Sequence, residues 1–383
     1  MPNLKVLSVI VLFIFAGTIP AAAQSAPLAN VPMTFPGPLP IVEVTINGKG
    51  PFHFTIDTGA QMQASVESSV INQLNLKPNG QVRGGDPSGR NPIVFDTVLL
   101  NSLSLGGVEF RDVTAISRQP RIGPVLPGVD GILGFGLFTE YLLTLDYPGK
   151  QLRLARGELP ATNGADILPF ENPHVIPVVE ISIGDLKVKA HIDSGNMIGK
   201  FILPAALLDK LKLASEPITV GRARTVSNEI EIKEVRLSDT IKLGSFEFNQ
   251  PTVTFPAIAD VVNIGFKILH EFSLTFDQKN KRVELERPVV KAADATAATP
   301  SIDVRDYVGA YGKRTISAEG NDLYLQRQGG PKIKLVPAGK DEFTVEPIPS
   351  ARIKFVRDEK GKVLEVRILN PAGEWEVSKK IQG

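Results

Sequence analysis

Two tripeptides, Asp57-Thr58-Gly59 and Asp193-Ser194-Gly195, stand at the same place in two similar halves of this 383-residue chain. Ahead of the first, Val42-Glu43-Val44-Thr45-Ile46 leads through a Gly-containing turn into Phe52-His53-Phe54-Thr55-Ile56-Asp57. Ahead of the second, Val179-Glu180-Ile181-Ser182-Ile183 leads into Val188-Lys189-Ala190-His191-Ile192-Asp193. Each is an alternating pattern on both sides of a turn, which predicts a β-hairpin. Side chains alternate across a strand, so both aspartates leave on the side opposite the apolar face.

The halves also agree downstream. A helix-like stretch follows each tripeptide, residues 66–76 and 204–213, the latter opening on Pro204, a residue suited to a first helical turn. Asp130-Gly131-Ile132-Leu133-Gly134 leads to Leu143-Thr144-Leu145-Asp146, as Val262-Asn263-Ile264-Gly265 leads to Ser273-Leu274-Thr275-Phe276-Asp277. The aspartates stand 136 positions apart (57 to 193) and the glycines 131 (134 to 265), a difference that loop-length changes absorb.

These correspondences divide the chain into a first lobe over 30–155 and a second over 165–287, joined near Gly157 to Gly164. Residues 288–302 are rich in Ala, Thr and Pro and read as a linker. Short alternating runs over 303–383, opening on Tyr307-Val308-Gly309-Ala310-Tyr311, predict a small third β domain. With 34 Gly and 30 Pro between short apolar runs, the expected class is all-β.

Residues 1–23 read as a signal peptide: Lys5, the apolar run Val6 to Phe15, then Ala21-Ala22-Ala23. Export to the periplasm or beyond is the expectation, with no membrane span after cleavage. The chain has no cysteine, which excludes disulfides and a thiol nucleophile. A net charge of +1 without any basic block argues against nucleic acid as a partner.

Paired aspartates have a specific chemistry. Two carboxyls facing each other cannot both ionise easily, so one keeps a proton where the other has lost it. The ionised member can deprotonate a water held between them, and the protonated one can hydrogen-bond a scissile carbonyl and later supply the leaving amine. Sequence does not say which of Asp57 and Asp193 plays which part, because such a pair titrates as a unit. Gly59 and Gly195 permit a tight turn and close backbone approach, and the hydroxyls of Thr58 and Ser194 are placed to brace the carboxylates.

Asp57-Thr58-Gly59-Ala60 resembles the active-site motif of the pepsin and retropepsin aspartic peptidases, and Gly131-Ile132-Leu133-Gly134 resembles the apolar-apolar-Gly element on which that motif packs. The resemblance covers about residues 30–287. It implies two pseudo-symmetric closed β lobes with a cleft between them and a hairpin flap above it. It also implies hydrolysis of a peptide or protein substrate without metal or cofactor. Both aspartates lie in one chain, so a monomer suffices. The flap candidates are residues 80–91, with Gly84, Gly85 and Gly89, and residues 221–228.

Three features depart from the family pattern. Asn196 follows the second glycine, where Ala, Ser or Thr is usual; Asn263 replaces the first apolar residue of the second packing element; neither flap candidate contains a Tyr. On these rests an alternative reading, a two-lobed protein that binds a peptide or envelope ligand without cutting it. His53 and His191 lie near the motifs, but their spacing is not that of a metal site. Trp375 reads as a core residue of the third domain.

Overall fold

The computed structural model describes residues 27–35, 39–85, 91–118, 128–197, 200–224, 229–256, 259, 261–288, 304–328, 332–345, 348–369 and 375–381. Residues 1–23, expected from the sequence to be a signal peptide, fall outside these residues, as do most of 288–302 and Gly89. The described chain is mostly β, with barrel-like sheets, as the sequence predicts.

The first hairpin forms where expected. Ile41–Ile46 and Lys49–Asp57 pair antiparallel around Asn47-Gly48, both at positive φ, the geometry of a two-residue hairpin turn. Lys49–Asp57 then pairs in parallel with Gly131–Gly134, setting Asp57 beside Gly134. Ala64–Glu67 lies on the far side of that short strand, followed by Val108–Arg118 and the long strand Ile93–Leu105. Ile93–Leu105 returns to Ile41–Ile46 through Ile46 opposite Leu103, so six strands close on themselves. Pro78–Gly84 hangs on the outside of Ile93–Leu105 as an exposed hairpin arm.

The second lobe repeats this path. Val178–Ile183 and Leu186–Ile192 form its hairpin, and Leu186–Ile192 pairs in parallel with Val262–Ile264. Phe201–Ile202, Thr252–Pro256 and Glu229–Arg236 continue the sheet, and Thr240–Leu243 returns to Val178–Ile183. The long strand of the first lobe is here divided into Glu229–Arg236 and Thr240–Leu243.

A six-stranded antiparallel sheet joins the lobes, taking Ala29–Pro32, Gln151–Ala155 and Leu142–Asp146 from one side and Ser273–Asp277, Arg282–Glu286 and Ile167–Pro169 from the other. Its two middle strands pair with Thr144 opposite Thr275. Phe135, Phe170 and Phe276 pack edge to face beneath it, ring centroids 5.2–6.5 Å apart. One continuous apolar core therefore runs from Ala29 to Leu285. Burial of that surface is the main force holding the lobes together.

The helix-like stretches are shorter than the sequence pattern suggests. Of residues 66–76, only Ser68–Leu74 is α-helical; Val66 belongs to a strand, and Asn75 in the left-handed region (φ 54°) ends the helix. Its counterpart Ala205–Lys210 is a 3-10 turn after Pro204.

Beyond the linker, eight strands from Gly309–Tyr311 to Trp375–Lys379 each pair with the next in sequence. Tyr311 bridges to Lys380, and the Ile381 N–H donates to the Ala310 carbonyl (2.8 Å), joining last strand to first. The interior is filled by Tyr311, Leu323, Phe343, Phe355 and their neighbours, a core separate from that of the lobes. Trp375 is not part of it: it faces outward on the last strand and is 44% exposed, contrary to the reading from sequence.

Candidate active site

The parallel pairing of each motif strand with its packing element fixes where each aspartate emerges. Asp57 is placed by Gly134 alongside it, and the Asp193 N–H donates to the Ile264 carbonyl (3.0 Å). Both carboxyls are partly buried and close enough to share a hydrogen bond. In each, Oδ1 accepts from the backbone N–H two residues on, Gly59 to Asp57 at 2.8 Å and Gly195 to Asp193 at 3.0 Å.

The glycines are required by space rather than by conformation. Neither Gly59 nor Gly195 lies in the left-handed region. A Cβ on Gly59 would stand 2.6 Å from the Asp193 Cγ, and one on Gly195 would stand 2.5 Å from the Asp57 Oδ1. Each motif's glycine thus makes room for the other motif's carboxylate. Gly134 is equally confined, since a Cβ there would strike the Met62 carbonyl.

Thr58 and Ser194 do something other than brace the carboxylates. The Thr58 N–H donates to Ser194 Oγ (2.9 Å) and the Ser194 N–H to Thr58 Oγ1 (3.0 Å). Their hydroxyls then donate across the lobe boundary, Thr58 to the Ile192 carbonyl (2.7 Å) and Ser194 to the Ile56 carbonyl (2.9 Å). Both residues are fully buried. Four hydrogen bonds between positions far apart in the chain therefore clamp the two motif strands together, in a setting where leaving any one unmade is costly.

The turn after each motif is the same despite the difference between Ala60 and Asn196. The Ala60 N–H donates to the Asp57 carbonyl (3.2 Å), and the Ala60 carbonyl accepts from the Phe135 N–H (3.1 Å); the Asn196 N–H and carbonyl do likewise with Asp193 (3.3 Å) and Phe266 (3.0 Å). The Asn196 side chain turns to Asn263, donating to its Oδ1 at 2.6 Å, and Asn263 Nδ2 donates to Asp193 Oδ2 at 2.7 Å. The two residues that depart from the family pattern form a single chain of bonds ending on a dyad oxygen.

Burial, and next the negative charge of Asp193, raise Asp57 above the ordinary carboxyl range, against the lowering effect of the Gly59 N–H. Tyr147, which sequence reading passed over, lies near the pair and Ser194. Its hydroxyl is buried, and burial, with the nearby aspartates, raises it far above the usual tyrosine value. The signal for it was positional: Tyr147 follows Asp146 as Gln278 follows Asp277.

Of the flap candidates, Gly84 lies on the exposed arm Pro78–Gly84, where an added Cβ would sit 3.3 Å from the Phe95 ring, and Gly85 follows it. His53 pairs with Asp130, whose Oδ2 accepts the His53 backbone N–H (2.8 Å), whereas His191 is buried. Among the described residues, no group of three or more His, Asp or Glu could hold a metal ion, and no helix is long and apolar enough to cross a membrane.

Residues 42–137, which include Asp57-Thr58-Gly59 and Gly131–Gly134, match the aspartyl protease family. Over that span the match supports an aspartyl protease domain of the pepsin/retropepsin type. No curated protein matches the sequence. The matched span covers the closed ring of the first lobe, and Asp193 stands outside the aspartyl protease match, in the second lobe.

Proposed function

We propose that the protein is an exported aspartic endopeptidase in which Asp57 and Asp193 share the work of hydrolysis. The observation that carries this reading is the reciprocal packing of each carboxyl against the opposite motif's glycine, with each Oδ1 bonded to a backbone N–H. That arrangement brings two acids to hydrogen-bonding distance. A water between them loses a proton to the ionised carboxylate as its oxygen bonds to the scissile carbonyl carbon. The protonated carboxyl donates to the carbonyl oxygen. On collapse the C–N bond breaks, the amine takes the proton first drawn from water, and the dyad recovers its single shared proton. Matching patterns in the two halves favour an origin by internal duplication, and the signal-like residues 1–23 favour the periplasm or the exterior as its place of work.

The non-catalytic alternative drew on Asn196 and Asn263. Neither distorts the second motif, since the Asn196 turn keeps the hydrogen bonds of the Ala60 turn. The test is hydrolysis of a random peptide library from about pH 3 to pH 8, a range that takes in the upper apparent pKa of such dyads, by the protein and by Asp57→Asn and Asp193→Asn. Cleavage abolished in both variants is expected. Cleavage surviving in either one would reduce that half to scaffold, and a folded native protein that cuts nothing would leave the binding reading.

A further inference from the structure

The two aspartates are not equivalent. Asp193 Oδ2 receives a side-chain hydrogen bond from Asn263, held in turn by Asn196. The matching positions in the first lobe are Ile132 and Ala60, which carry no side-chain donor. An ionised carboxylate only accepts hydrogen bonds, so it turns the Asn263 amide with its NH2 toward Asp193 and its Oδ1 toward the Asn196 NH2. Both bonds are short, and a donor on one carboxylate favours the charge there. We propose that Asn263, backed by Asn196, is a positioning residue that keeps the negative charge on Asp193 and the shared proton on Asp57.

This rests on the reading of the pair as a hydrolytic dyad and assigns its roles. Asp193 takes the proton from water; Asp57 donates to the substrate carbonyl. The elevated proton affinity of Asp57 agrees with that division. The other titratable groups facing Asp193 are Asp57 and Tyr147 across the lobe boundary and His191, two residues upstream on its own strand and beside Asn263 in parallel register.

The experiment is a carbon-13 titration of aspartate side-chain carboxyls in the full chain, with Asp57→Asn and Asp193→Asn used to assign the two signals. Asn263→Ile and Asn196→Ala transplant the first lobe's residues. Asp193 is expected to lose its proton before Asp57 in the native protein. In Asn263→Ile the Asp193 step moves to higher pH by about one unit, a roughly tenfold gain in proton affinity, with a smaller move in Asn196→Ala. The acidic limb of the kcat/KM profile moves the same way. Asp57 deprotonating first, or both together, overturns the assignment, as does an Asp193 step unmoved in every folded variant. Asn196→Ala gives the answer should Asn263→Ile fail to fold. Because the titration needs no turnover, a native protein with the expected order but no peptide cleavage would sink the hydrolytic reading and leave the positioning role standing.

Discussion

Thr144 and Thr275 meet hydroxyl to hydroxyl, 2.9 Å apart, where the middle strands of the inter-lobe sheet cross the boundary between the halves. They are 131 positions apart, the same spacing as Gly134 and Gly265, so each residue faces its own counterpart. Both are buried. Changing either to Val strands the other hydroxyl without a partner, at a cost of about 1–3 kcal/mol. Changing both removes the need along with the bond. Urea unfolding of the two single variants and the double should give a double loss smaller than the sum of the singles; strict additivity would show that the pair is not coupled.

The clamp at Thr58 and Ser194 has more at stake. Thr58→Val removes an oxygen that accepts from the Ser194 N–H and donates to the Ile192 carbonyl, leaving both buried groups unpaired. A loss of about 2–5 kcal/mol is expected. Thr58→Ser keeps both bonds and should stay within about 1 kcal/mol of the native protein. Equal denaturant midpoints for the Val and Ser variants would mean that the clamp contributes little.

Gly59→Ala should act on the opposite aspartate. Its methyl would need the space of the Asp193 carboxyl, and that of Gly195→Ala the space of Asp57. Either substitution should abolish peptide hydrolysis by forcing the carboxyls apart, in a protein that remains folded by circular dichroism. An alanine variant with native kcat would show that the two motifs part freely enough to absorb a methyl.

The raised proton affinity of Asp57 links stability to pH. Burial and the neighbouring charge of Asp193 both favour its protonated form over the ordinary carboxyl value of 3.8. Stabilisation from a carboxyl held protonated in the fold is complete at pH below the unfolded value and is lost as pH rises toward the folded one. Asp57→Asn has no such loss. Its denaturant midpoint should gain on that of the native protein as pH is raised from about 4 to about 7, and the gain should vanish below about pH 4. A midpoint difference that stays constant across this range would refute the linkage.

Much of this architecture was legible in the chain because strand alternation and the paired motifs act locally. Val42–Ile46 with Asn47-Gly48 specifies a hairpin with no help from the rest of the fold. The role of Thr58 and Ser194 was not legible, since their hydroxyl partners are carbonyls more than a hundred residues away. Asn263 read as a break in an apolar pattern; only parallel pairing with the motif strand brings it to Asp193. The helices came out short because an extended run and a helical one of five or six residues differ little in pattern, and strand pairing claimed Val66.

The crossing at Thr144 has a consequence for the chain while it folds. Leu142–Asp146 is complete long before Ser273–Asp277, its neighbour in the finished sheet, has been made. Until then the first lobe presents an unsatisfied strand edge, rich in leucine, of the kind that recruits another chain. The nearest mimic of the missing strand is the same strand on a second nascent copy, laid antiparallel with Thr144 against Thr144. Pairing with Ser273–Asp277 is therefore what closes this edge within one molecule.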